Sequence, residues 1–219
     1  MRKWVTLGLV AVVTLGMAGY SFADVPSSLT STVACTCVAG PGGAASTQLP
    51  YHCTISPANG TTHAEDIKVS VVVRNVLGSP LAGSTVNATA TPVGASTFIW
   101  NPAQNPQSIV SDGSGNANFT FRRGGVATGS SPSFPNLDYS ITAQGPGAGS
   151  PVGLNACSPQ LNVKGYDENA SGGVDLVDFA LFSSDLGSGG ARSDFNWSGA
   201  TDLVDFALFS ANLGTSITP

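Results

Sequence analysis

The sequence predicts a mainly β protein that ends in a small helical repeat, and three observations carry this prediction. Short runs of alternating apolar residues recur between residues 24 and 163, Gly, Pro and Asn turn signals separate them, and helical periodicity begins only at Asp175. Short strands between such turns favour two packed sheets, a β-sandwich. The expected organisation is a leader over residues 1–23, a sandwich over 24–163, a loop–helix repeat over 164–214 and a tail over 215–219.

The leader is read from Arg2 and Lys3, the mostly apolar stretch Val5 to Gly19, and the small residues of Ser21-Phe22-Ala23 ahead of a cleavage point before Asp24. That stretch is shorter than the ~20 residues a spanning helix needs. The cleaved chain is therefore expected outside the cytoplasm, secreted or at the cell surface, and not spanning a membrane.

Strands are expected where side chains alternate. Ile67, Val69, Val71 and Val73 share one face. Val86, Ala88 and Ala90 follow, then Phe119 and Phe121, then Tyr139 and Ile141. Turns are expected at Gly78-Ser79-Pro80, Asp112-Gly113-Ser114-Gly115, Gly124-Gly125 and Gly145-Pro146-Gly147. The run VSVVVRNVLGSPLAGSTVNATAT followed by SDGSGNANFTF resembles bacterial Ig-like repeats of the invasin type, over about residues 65 to 145. That resemblance implies an Ig-like sandwich.

Four cysteines, Cys35, Cys37, Cys53 and Cys157, suit disulfides in an exported chain. Cys35 and Cys37 are read as facing opposite ways and bonding elsewhere: Cys37 to Cys53 and Cys35 to Cys157. A zinc site from Cys35, Cys37, Cys53 and His52 or His63 is the weaker reading, because Cys-x-Cys is not the usual finger spacing.

No catalytic constellation is visible. The two histidines are His52 and His63, and no nucleophile elbow, HExxH or phosphate loop occurs. Phe98, Trp100 and Tyr139 could form a sugar platform, but the core reading is preferred. The chain is expected to be non-enzymatic. From Gly165 onward there are eight acids and one base, a net charge of −7, against +2 for the remainder and −5 overall. So acidic a terminus argues against nucleic acid as a partner and suits cations.

The acids belong to a repeat. Asp175-Leu-Val-Asp-Phe-Ala-Leu-Phe-Ser183 recurs, all nine residues identical, 27 residues on as Asp202 to Ser210. Upstream, Asp167-x-Asn169-x-Ser171-Gly172 aligns with Asp194-x-Asn196-x-Ser198-Gly199, and downstream Leu186-Gly187 aligns with Leu213-Gly214. Each copy fits a twelve-residue calcium loop. Loop 1 would use Asp167, Asn169 and Ser171 at positions 1, 3 and 5, the Gly173 carbonyl at 7, Asp175 at 9 and Asp178 at 12. Loop 2 would use Asp194, Asn196, Ser198, the Ala200 carbonyl, Asp202 and Asp205. Two Ca2+ sites follow. Three carboxylates each, with Asp at position 12 where EF-hands carry Glu, predict micromolar to millimolar binding. Thr201 in place of Val174 at position 8 is expected to loosen loop 2.

Two loop–helix units with Asp at position 12 and no entering helix resemble a type I dockerin over about residues 163 to 214. That resemblance implies docking to a cohesin-like domain or surface scaffold, often beside polysaccharide-degrading enzymes. It implies recognition through Leu176, Val177, Ala180, Ser183 and Ser184, and through Leu203, Val204, Ala207, Ser210 and Ala211. The familiar Ser-Thr pair and later basic residues are missing there. Helical periodicity assigns Phe179, Phe182 and Leu186 to the module's core. Two other functions remain open: a carbohydrate-binding or polysaccharide-degrading accessory, and a calcium-stabilised cap with no partner.

Overall fold

The protein is described as a computed structural model covering residues 24–39, 52–57, 65–93, 97–122, 124–127, 136–147, 149–154, 161–188 and 192–217. The expected leader, His63 and Cys157 lie outside the described residues. Among the described residues the fold is mainly β, with eleven strands followed by two short helices.

β1 (Thr32–Ala39), β3 (Glu65–Val72) and β7 (Asn116–Phe121) form an antiparallel three-stranded sheet in the order β1-β3-β7. A second sheet has the order β2-β11-β9-β4-β6, from β2 (His52–Ile55), β11 (Leu161–Gly165), β9 (Asn136–Gln144), β4 (Thr85–Val93) and β6 (Gln107–Val110), with β10 (Val152–Leu154) also on β9. β5 (Thr97–Trp100) and β8 (Gly124–Ala127) pair with each other. β2 and β11 run parallel, with Asn162 opposite His52 and Lys164 opposite Thr54.

The expected alternation sets the core. Ile67, Val69, Val71 and Val73 are buried, while Lys68 and Ser70 between them are exposed. Phe121, Phe119 and Ala117 stand opposite Ile67, Val69 and Val71 across the β3–β7 register. Val86, Ala88 and Ala90 face Ala143, Ile141 and Tyr139 across β4–β9. The inward faces of both sheets join in one buried cluster.

Three expectations need correcting here. Cys35 and Cys37 do not face opposite ways: both are buried, on either side of half-buried Thr36. Residues two apart on a strand share a face, because its side-chain period is 2. Cys37 bonds to Cys53, with Cα atoms 5.7 Å apart, tying β1 of the first sheet to β2 of the second. Cys35 is also disulfide-bonded, and no described cysteine is free. Thiolates for a zinc site are therefore not available there.

Gly124 and Gly125 are not a turn but the start of buried β8. Their lack of side chains serves close approach instead. A Cβ on Gly124 would stand 2.9 Å from the Ile99 carbonyl oxygen, and one on Gly125 would stand 2.2 Å from an Asp167 carboxylate oxygen.

The sugar-platform rings lie in or against the core. Tyr139 is fully buried, and Phe98 and half-buried Trp100 pack against the same cluster.

Candidate metal centre

β11 ends at Gly165 and runs through buried Tyr166 directly into loop 1. Each loop leads into a ten-residue helix, α1 (Leu176–Asp185) or α2 (Leu203–Asn212). The two copies share most of their local hydrogen bonds, and loop 2 adds one from the Ser198 hydroxyl to the Asp194 carboxylate at 3.5 Å. In loop 1, Asp167 accepts from the N–H groups of Ser171 at 2.9 Å and Gly172 at 2.8 Å. In loop 2, Asp194 accepts from Ser198 at 2.9 Å and Gly199 at 3.0 Å. Asn169 and Asn196 each accept from the N–H two residues on, at 2.8 and 2.9 Å. The Ser171 hydroxyl donates to the Gly173 carbonyl and that of Ser198 to the Ala200 carbonyl, at 3.3 and 3.2 Å.

At position 12, Asp178 accepts from the N–H groups of Asn169 and Asp175, and Asp205 from those of Asn196 and Asp202. Positions 9 and 12 are thus also the helix starts. Asp175 and Asp202 are N-caps that accept from Val177 and Val204, each at 2.7 Å, and reciprocal bonds to Asp178 and Asp205 complete two capping boxes. Such a cap stabilises a helix by about 0.5–2 kcal/mol. Gly172 and Gly199 at position 6 have φ of 104° and 97°, where a side chain would strain the turn.

Val174 and Thr201 at position 8 are equally buried and make equivalent bonds. Gly214 N–H donates to the Val174 carbonyl and Gly187 N–H to the Thr201 carbonyl, while Val174 and Thr201 N–H donate to Thr215 and Ser188. Each loop is therefore laced to the segment after the other helix. Thr201 does not open loop 2. The expected tail is partly built in: Ser216 bridges Gly173, and Ile217 N–H donates to the Gly172 carbonyl.

Asp167, Asp178, Asp194 and Asp205 are buried, whereas Ser171, Asp175, Ser198, Ala200, Asn196 and Asp202 are exposed and Asn169 and Gly173 half-buried. Burial raises the carboxyls of Asp167, Asp178 and Asp205 above the usual carboxylate range, their backbone hydrogen bonds oppose it, and neighbouring aspartates add to it. Among the described residues, no group of three or more His, Cys, Asp or Glu is placed to hold a metal by itself. The proposed donor set is wider, drawing on Asn and Ser side chains and on backbone carbonyls. All of its donors are oxygens, the class that hard cations take. An ionised carboxylate has about four acceptor sites, so the two N–H donors at position 1 and the three at position 12 do not exhaust it.

All ten residues of the implied recognition surface are exposed. The helices meet instead through rings: Phe182–Phe209 centroids are 5.3 Å apart, Phe182–Phe206 6.0 Å and Phe179–Phe206 6.4 Å. The helix-core expectation is right only for Phe182, which is 1% exposed; Phe179 and Leu186 are 39% and 46% exposed. A ten-residue helix packed on so small a cluster buries a narrow stripe, Asp178 and Phe182. Leu186 is the C-cap with ψ 127°, outside helical geometry.

Several residues with a part in the site carried no sequence signal. Lys164, fully buried, pairs with Asp194 at 3.3 Å and donates to its backbone carbonyl. Its ammonium lies 3.9 Å from the Trp197 ring centre. Burial lowers Lys164 to about 8 against the pull of Asp194. Trp197, at position 4 of loop 2 with φ 59°, stacks on His52 at 4.1 Å and donates to the Thr54 hydroxyl, which donates to the Phe195 carbonyl. On the other side, Glu168 accepts from Ser193 at 2.6 Å and faces Arg192 at 3.5 Å, and burial pushes its carboxyl up to about 8. Only the contrast of Trp197 with Ala170 at the same repeat position hinted that the loops have different surroundings. No protein-family model matches the chain, and neither a curated protein nor a solved structure does.

Proposed function

We propose that this is an exported calcium-binding protein in which a dockerin-like repeat docks a non-catalytic Ig-like β-sandwich to a cohesin-like domain or surface scaffold. The observation that carries this reading is the internal equivalence of the two loops. Loops 27 residues apart make the same bonds at positions 1, 3, 5, 9 and 12, and each starts its helix with the same capping box. Each copy also leaves matching apolar side chains in solvent, with Leu176 and Leu203 at 76% and 75% exposure and Val177 and Val204 both at 54%. A repeated patch of that kind is what a partner surface uses. Two loops in near-symmetry offer that partner two orientations.

A second reading, an intramolecular calcium-stabilised cap, is favoured by a different observation: Trp197, Phe195 and Asp194 of loop 2 seat on His52, Thr54 and Lys164 of β2 and β11. Capture of cohesin-like domains by the full mature chain, with calcium and with chelator, separates the two. Docking requires calcium-dependent capture. Calcium-dependent stabilisation without capture supports the cap. A chain whose circular dichroism and melting ignore calcium ends both readings.

A further inference from the structure

The two loops attach to the β-strand body through the same atom, the backbone carbonyl of position 1, but with different donors. The Asp167 carbonyl accepts from the neutral N–H of Val126 at 3.0 Å. The Asp194 carbonyl accepts from the Lys164 ammonium, which also pairs with the Asp194 carboxylate at 3.3 Å, and both side chains are shielded from solvent. Among the described residues, none of Asp167, Asp175 or Asp178 is ion-paired. Arg192, which reaches the residue after Asp167, is engaged by Glu168 at 3.5 Å and Asp185 at 2.9 Å.

We infer that Lys164 is the resident cation of loop 2, so that the two loops take calcium unequally: loop 1 tightly, and loop 2 weakly as an exchangeable site. This rests on the reading of both loops as calcium sites. The physical reason is charge. A divalent cation entering loop 2 meets a fixed ammonium on its first ligand, in a buried setting that water screens poorly. Ligand charge sets affinity in such loops, and Lys164 offsets about one of the three carboxylates of loop 2. The same ammonium, lying on the Trp197 ring, holds loop 2 against β2 and β11 before any metal arrives. Loop 2 is therefore seated on β2 and β11 by a charge that loop 1, held at the same carbonyl by the neutral Val126 N–H, does not carry.

Calorimetric calcium titration of the full mature chain tests this. The expected isotherm has two sites whose dissociation constants differ by about tenfold or more. Asp178→Asn, which disables loop 1, is expected to leave the weak site, and Asp205→Asn the tight one. Lys164→Met keeps an unbranched apolar stem beside Trp197 without the charge, and is expected to tighten the weak site by about tenfold. Should Lys164→Met fail to fold, the comparison of Asp178→Asn with Asp205→Asn still decides the matter. Equal sites in the unmutated chain, a weak site assigned to loop 1, or a folded Lys164→Met chain with an unchanged ratio overturn this inference and leave calcium binding standing. Absence of calcium uptake by either loop overturns the inference and the reading beneath it together.

Discussion

Gly125→Ala is the most direct probe of how loop 1 sits on the β-strand body. A methyl group at Gly125 would stand 2.2 Å from the Asp167 carboxylate oxygen, 2.6 Å from its Cγ and 3.0 Å from its Cβ. Asp167 has little room to retreat. Its carboxylate is held by the Ser171 and Gly172 N–H groups and its carbonyl by Val126. Overpacking a filled site costs about 1–3 kcal/mol. Breaking a hydrogen bond to a charged acceptor adds about 1.5–3 kcal/mol if one is lost. At roughly 2–4 °C per kcal/mol for a chain of this size, the melting point should fall by about 5 °C or more. Calorimetric melting with and without calcium reads this directly, and calcium titration of the same variant should show loop 1 lost and loop 2 retained. Gly113→Ala is the control, because nothing lies within 4 Å of a Cβ there. If Gly125→Ala melts with Gly113→Ala and keeps both calcium sites, the close packing of loop 1 on β8 is not part of the folded state.

Other outcomes follow from the same contacts. Phe182→Ala should destabilise the chain by about 3–5 kcal/mol in chemical denaturation, because Phe182 is 1% exposed amid Phe195 and Phe209, whereas half-exposed Phe179→Ala should cost clearly less. Burial raises the folded-state pKa of Asp167, Asp178 and Asp205, so protonation stabilises the metal-free fold: that contribution is present at low pH and lost as pH rises through the raised values. On the proposed reading, calcium would compete with those protons. Acidification into the carboxylate range should therefore weaken calcium binding, and calcium uptake should release protons, both measurable by titration in buffers of different ionisation enthalpy. Leu176→Asp combined with Leu203→Asp should abolish calcium-dependent capture of cohesin-like domains and leave the melting point within about 2 °C, since both side chains are exposed. Retained capture would move the docking surface elsewhere.

Period and repetition were legible from the residues alone. The alternation from Ile67 to Val73 needs one buried face and no knowledge of what covers it, so the strand and its inward side chains follow from spacing. The 27-residue repeat shows that whatever bonding pattern suits one loop must suit the other, and the hydrogen bonds of Asp167 and Asp178 recur at Asp194 and Asp205. Even where the reading of Cys35 and Cys37 went wrong, the strand's own period contained the right answer.

What only the tertiary structure decided lies where the repeat meets a body that is not repeated. Periodicity placed Phe179, Phe182 and Leu186 on one stripe, but how wide a stripe is buried depends on the size of the cluster opposite, and here that cluster covers Phe182. Gly124-Gly125 has the composition of a turn, and only the approach of Asp167 reveals a strand that must lack side chains. Lys164 stands three residues before loop 1, yet pairs with the first residue of loop 2, because parallel pairing of β11 with β2 and the packing of Trp197 on His52 bring those places together. Local sequence specifies local geometry through sterics and hydrogen bonds of short range. Which charges and rings meet across 30 residues or more is settled by the packing of the whole chain.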